Sequence, residues 1–209
     1  AAPHRLRFGP DPSSHARCTI GGMIGNNACG TRALGYGRTS DNVLGVRALS
    51  AAGQTLTLGP QPSSSAELDE VAALTRSGLG TIRTQFGRFG RQVSGYALET
   101  LLPENRFDVA RLMAGSEGTL TVLTEATVRL VNEPAHRVLV VLSYPDIATA
   151  GDATPAILEH RPTACEGIDS RIVDIVRERK GAAAVPPDGS GGQRSGPRPG
   201  LANTLTYDF

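Results

Sequence analysis

The chain has 209 residues, 39% hydrophobic and 20% charged, with 21 Lys plus Arg against 20 Asp plus Glu and a formal net charge of +1. That length allows one domain and part of a second, and the charge balance supplies no global pull toward nucleic acid or an anionic membrane. The three cysteines, Cys18, Cys29 and Cys165, form no CxxC pair or Cys/His cluster, and the longest aliphatic run, Val138 to Leu142, is too short to span a bilayer. Disulfide-framework, zinc-finger and membrane-spanning classes are set aside, and a reducing, cytoplasmic compartment is the simplest expectation.

In chain order, residues 8–30 are rich in Gly, Pro and small side chains and read as loop. Val43 to Ser50 and Gln54 to Leu58 are short β-type runs joined at Ala51-Ala52-Gly53, a hairpin pattern. Ser65 to Ser77 is predicted to be a helix capped by Ser65, with Leu68, Val71, Ala72 and Leu74 near a 3.6-residue period and Gly78-Leu79-Gly80 as its stop. Thr119 to Val131 is rich in β-branched residues and is predicted to be one long, bent strand. Beyond it come a strand at Val138–Ser143, a helix over Asp146–His160 broken at Pro155, a strand at Thr163–Ile168 and a helix over Asp169–Lys180. From Pro134 onward this β-α-β-α order is that of a separate small α+β unit. Residues 181–209 are Gly/Pro-rich and predicted to be disordered; Leu201 to Phe209 either pack as a stray strand or, the simpler expectation, hang free.

Chemistry concentrates in two places. Gly9-Pro10-Asp11-Pro12-Ser13-Ser14 is followed by Cys18-Thr19-Ile20-Gly21-Gly22-Met23-Ile24-Gly25-Asn26-Asn27-Ala28-Cys29-Gly30. Small residues let backbone N–H groups approach a ligand closely, and glycine accepts the positive φ that aims successive N–H groups into an anion-binding nest. Asn26 and Asn27 add amide donors and acceptors. The same pattern also fits a loop that only turns the chain, and spacing does not choose between them. It is neither the dinucleotide fingerprint nor a Walker loop. The second place is Gly115-Ser116-Glu117-Gly118-Thr119-Leu120, opening the long strand, which by itself reads as a turn. Gly87-Arg88-Phe89-Gly90 has the form of a phosphate-clamping G-x-x-G loop, but the neutral charge and scarce aromatics favour a solvated turn, so no nucleic-acid partner is expected. The four histidines are scattered, no metal-ligand spacing occurs, and no catalytic residue is assignable.

Taken together, three further groups join these segments: Gly35-Tyr36-Gly37 with Asp41-Asn42-Val43-Leu44-Gly45, then Ser94-Gly95-Tyr96, then Glu125-Ala126-Thr127. In order and spacing the whole set resembles the vanillyl-alcohol oxidase/PCMH-type flavoproteins, in their branch of FAD-linked 2-hydroxy-acid oxidoreductases. The resemblance covers about residues 8–131, and residues 135–180 resemble the start of that family's substrate, or cap, domain. It implies an α+β fold: a PCMH-type FAD-binding subdomain with a mixed or antiparallel sheet and flanking helices over 1–133, then the truncated start of an α+β cap over 134–180. It implies FAD as cofactor, held by Pro10, Asp11, Pro12, Thr19, Gly21, Gly22, Asn27, Ala28, Gly30, Glu117, Gly118 and Val122, with Gly118–Val122 against the adenine. It implies a small 2-hydroxy acid as substrate, oxidised by hydride transfer to flavin. The family's R-G-G-G-T-type loop and H-G-D-G-N-x-H-type segment have no counterpart in the sequence. A fragment of such an oxidoreductase is therefore expected; the alternative is a non-catalytic remnant or a flavin-binding half that needs a separately encoded partner to supply the missing subdomains.

Overall fold

The computed structural model describes residues 1–59 and 64–181, and the backbone of 204–208. The chain divides into two units, Ala1–Glu133 and Pro134–Phe209. In the first, β1 (Leu6–Phe8) leads to α1 (Ile20–Gly25), the single-turn helices α2 (Ala33–Tyr36) and α3 (Thr39–Asn42), and the hairpin β2 (Val43–Leu49) and β3 (Thr55–Leu58). Then come α4 (Ala66–Ser77), α5 (Leu79–Gln85), two 3-10 turns, α6 (Val109–Met113), β4 (Val122–Val128) and β5 (Leu130–Asn132).

The hairpin closes as its sequence requires. Ser50 N–H donates to Gln54 O at 2.9 Å, and Gly53 takes a φ of 78°, a conformation that costs a residue with a Cβ. β2 is the middle strand of an antiparallel sheet in the order β3-β2-β4. Its alternation puts Val43, Val46 and Ala48 inward beside Leu56 and Leu58 of β3. Against them pack Ile24 of α1, Leu68 of α4, Leu101, and Val109, Ala110, Leu112 and Met113 of α6. Each large side chain buried in this way contributes about 1.5–3 kcal/mol. Ser65 caps α4 as expected, its Oγ accepting from Leu68 N–H at 3.2 Å.

Several expectations need correction. The residues expected to form one long strand instead form two, β4 pairing with β2 and β5 with β1 in a separate two-stranded sheet. The break falls at Arg129, whose N–H donates to Asn42 O at 2.8 Å and whose Nε donates to Asn42 Oδ1 at 3.1 Å, so the ladder to β2 ends where a polar anchor takes over. The Gly-rich stretch expected to be loop contains α1, because Thr19 Oγ1 caps it by accepting from Gly22 N–H at 3.0 Å and Met23 and Ile24 bury its inner side. Gly78 ends α4 as expected, donating to Leu74 O, but it also accepts from Ile82 N–H, so an unforeseen helix, α5, follows directly and takes in Leu79 and Gly80. In the second unit Pro155 does not break its helix. α7 (Ile147–Leu158) runs through it, forgoing the one hydrogen bond a proline cannot donate.

The second unit continues β6 (Leu139–Ser143), α7, β7 (Ala164–Ile168), α8 (Ser170–Lys180) and β8 (Thr204–Asp208). Asp146 caps α7 through Thr149 N–H at 2.7 Å, and Asp169 caps α8 through Arg171 N–H at 2.8 Å. The sheet order is β6-β8-β7, with β8 antiparallel to both neighbours. Residues 204–208 therefore do not hang free. Strand β8 lies between β6 and β7, antiparallel to both, and satisfies ladder groups of each. The expectation of disorder over 182–203 lies outside the described residues. The α+β class, with antiparallel sheets and flanking helices, is as expected.

Candidate cofactor cleft

The two Gly-rich segments meet. Gly115 N–H donates to Ile24 O at 2.8 Å and Glu117 N–H to Gly25 O at 3.0 Å, so the turn before β4 docks on the C-terminal end of α1. The turn is built from left-handed backbone: φ is 92° at Gly115, 52° at Glu117 and 74° at Gly118. A Cβ at Gly115 would press on Asn27 Cβ at 3.3 Å, so glycine permits the approach. Inside the turn, buried Ser116 donates its Oγ–H to Met113 O at 2.9 Å. On the other flank, buried Pro10 and Pro12 frame Asp11, and a Cβ at Gly30 would overlap the Asp11 carbonyl. Residues 10–12, 19–30 and 115–118 thus form one continuous surface.

Open space lies above it. Gly21 and Gly118 are exposed, with nothing within 4 Å of where a side chain would stand. At the start of α1, Thr19 takes the N–H groups of Gly22 and Met23. The amides of Ile20 and Gly21 belong to the first turn, where a helix has no internal acceptor to offer. Beside this lies a cavity of about 310 Å³ whose lining includes Arg7, Phe8, Pro10, Asp11, Cys18 and Met23. Its charges are ordered around the Asp11 carboxylate, which meets Arg7 at 3.3 Å, Arg32 at 3.4 Å and His15 at 3.3 Å. A larger hollow of about 720 Å³ lies away from these loops on the outer face of the β3-β2-β4 sheet, where Arg47 and Glu125 pair with each other at 2.9 Å.

Of the residues expected to touch the cofactor, Pro10, Asp11, Pro12, Thr19, Gly21, Gly22, Ala28, Gly30, Glu117 and Gly118 lie in the converging loops. Asn27 sits among them with a different task. It is 3% exposed, has a φ of 45°, and its Oδ1 accepts Ser40 N–H at 2.9 Å, so its amide pins the loop from behind. Val122 is 63% exposed on β4, in register with Leu49.

Reading the sequence alone missed what holds the loops in place. Thr39 donates both its N–H, at 3.1 Å, and its Oγ1–H, at 2.6 Å, to Ala28 O. Asp41 accepts from Arg38 at Oδ2 (3.0 Å) and Oδ1 (3.1 Å), and from Arg111 Nη2 at 2.6 Å. Burial pushes the Asp41 carboxyl upward, but the Arg38 hydrogen bonds and the charges of Arg38 and Arg111 outweigh it and hold it below the usual carboxylate value. The Asp41 hydrogen bond in turn raises Arg38. The signal available in the sequence was an Arg and an Asp three apart at a helix start, one pattern among many of its kind. The segment around Gly87–Gly90 is also tied in. Arg91 Nη2 lies 3.3 Å from Cys29 Sγ, Arg38 Nη1 donates to Gln92 O at 3.1 Å, and the Tyr96 and Thr119 hydroxyls are hydrogen-bonded at 2.7 Å.

This arrangement of capped helices, sheet and Gly-lined cleft accompanies two matches to domains of FAD linked oxidases. Residues 1–59 match the FAD binding domain and residues 133–205 the C-terminal domain of FAD linked oxidases. Three relatives are 2-hydroxy-acid enzymes by name, and the chain is similar to a part of each. It is 35% identical over 188 residues to D-2-hydroxyglutarate dehydrogenase of Escherichia coli (strain K12), covering 82% of this chain and 18% of that protein. It is 32% identical over 157 residues to glycolate oxidase subunit GlcD of the same strain, covering 75% and 24%. It is also 32% identical over 190 residues to D-lactate dehydrogenase of Archaeoglobus fulgidus, covering 89% and 33%. The chain therefore spans about a fifth to a third of the length of these relatives. A solved alkyldihydroxyacetonephosphate synthase shares the fold, with a TM-score of 0.62 and 18% identity, covering 100% of this chain and 32% of that one. Among the described residues no helix is long and apolar enough to cross a membrane.

Proposed function

We propose that the cleft between residues 10–30 and 115–119 holds FAD, and that the chain provides the cofactor-binding part of an oxidoreductase acting on a small 2-hydroxy acid. The observation that carries this reading is the docking of Gly115 and Glu117 onto the carbonyls of Ile24 and Gly25, which turns two distant small-residue segments into one cradle. The residues present fit the cofactor. The first-turn amides of α1 suit a pyrophosphate, and the absent side chains at Gly21 and Gly118 leave room for a flat or phosphorylated group against backbone. Bound FAD supplies the hydride acceptor. The chain's own part is to hold and orient: Thr19, Gly21 and Gly22 toward the phosphates, Pro10, Asp11, Pro12, Ala28 and Gly30 as the wall beside them, and Glu117, Gly118 and Val122 toward the adenine. A reducing, cytoplasmic setting accords with three free cysteines.

A second reading is a flavin-binding portion for which the groups that take the substrate's proton come from outside these residues, a separately encoded chain being one source. One experiment separates the two. Purified chain is titrated with FAD while flavin fluorescence is followed, and the complex is then offered D-2-hydroxyglutarate, glycolate or D-lactate with a dye acceptor. Saturable quenching with dye reduction supports the first reading, quenching without turnover the second, and no quenching overturns both.

A further inference from the structure

Helix α3 is one turn long and polar, yet Thr39 and Asn42 are 0% exposed and Ser40 2%. A polar segment so deeply buried is costly unless its groups are engaged; here Thr39 and Ser40 bond to Ala28 and Asn27 of the cleft loop, and Asn42 to Tyr36, Arg38 and Arg129. We propose that Asp41 is a positioning residue for the cofactor: through Arg38 and Arg111 it sets the loops that receive the two ends of FAD in one relative placement. The proposal rests on the FAD reading above.

The connections run outward from one carboxylate. Arg111, which meets Asp41 Oδ1 at 2.6 Å, stands on α6, and α6 runs directly into the Gly115–Thr119 turn. Arg38 grips both oxygens of Asp41 and hands its remaining nitrogen to Gln92 O at 3.1 Å, joining the 86–96 segment. The residues just before Asp41 complete the set, with Ser40 N–H on Asn27 Oδ1 at 2.9 Å and Thr39 on Ala28 O. The Asp41 carbonyl accepts from Arg129 Nη2 at 3.1 Å, where β4 gives way to β5. A carboxylate shared by two guanidinium groups is directional as well as attractive, so it fixes orientation in a way a neutral side chain does not.

The consequence is specific to a dinucleotide. A ligand whose two ends seat on two walls gains from the effective concentration of the second end once the first is bound, and that gain depends on the walls being held at the right separation. Loosening the clamp forfeits the gain for FAD. FMN and adenosine each engage one wall and have no such gain to lose.

The test measures dissociation constants of FAD, FMN and adenosine for the full chain and for Asp41→Asn, Arg111→Met and Arg111→Lys, with a thermal melt of each. Asp41→Asn and Arg111→Met are expected to weaken FAD about tenfold or more while FMN and adenosine stay within about twofold. Arg111→Lys is expected to recover part of the FAD affinity, since lysine keeps the charge without the fork. Equal losses for all three ligands would mark Asp41 as a fold residue only and overturn the proposal, as would unchanged FAD affinity in both disabling variants. If the parent chain takes up no FAD while remaining folded, the cofactor reading itself fails and the proposal falls with it.

Discussion

Asp41 and Gly30 constrain the cleft in opposite ways, one by its charge and the other by having no side chain. Asp41 is held below the ordinary carboxylate value in the folded chain by Arg38 and Arg111 against the opposing effect of burial. A depressed native value means the native state binds fewer protons, so the contribution is complete above about pH 4, the unfolded value, and drains away as pH falls toward the folded one. Thermal midpoints measured from neutral pH into acid are expected to fall less steeply for Asp41→Asn than for the parent, and an unchanged slope would contradict the assignment. At Gly30 a methyl group would collide with the Asp11 carbonyl, which is backbone and cannot swing aside. Gly30→Ala is expected to cost about 1–3 kcal/mol in denaturant unfolding and to displace the 10–12 turn. Asn27→Ala removes the acceptor of Ser40 N–H in a buried setting, with an expected loss of about 1–3 kcal/mol in the same assay.

At the scale of elements, what was legible in the sequence was what carries a local period. The β2–β3 hairpin, α4 with its Ser65 cap, and α7 and α8 with their Asp caps all form where alternation, a 3.6-residue spacing or a capping side chain marks them. What was hidden depends on distant partners. α1 is Gly-rich and owes its existence to Thr19 and to the burial of Met23 and Ile24, which no window of propensity reveals. The split of β4 from β5 is imposed by Asn42 and by the pairing of β5 with β1, and β8 is defined by two strands far from it in sequence. The candidate site divides in the same way: its glycines could be picked out because small residues cluster, whereas α3 gave no signal because buried polar clamps have no period. Pro155 is an exception that can be tested. Restoring the missing N–H with Pro155→Ala is expected to stabilise α7 by up to about 3 kcal/mol, seen as slower amide exchange in residues 147–158.

For the molecule as a whole, the outer side of the β3-β2-β4 sheet has exposed apolar groups: Leu44 at 48%, Leu49 at 40% and its register partner Val122 at 63%. Apolar surface of this kind on one sheet face favours association. The purified chain is expected to self-associate as its concentration rises in light scattering, and Leu44→Lys with Leu49→Lys to reduce this; a monomer at high concentration would count against it. The central claim, however, is that loops near the two ends of the first unit act as one receptor for a flavin dinucleotide. Hydrogen exchange with and without FAD tests it most directly. Binding should slow exchange in residues 19–30 and 115–119 together, in the same titration and with the same midpoint. Protection confined to one of the two segments, or to neither while FAD remains bound, would contradict the account.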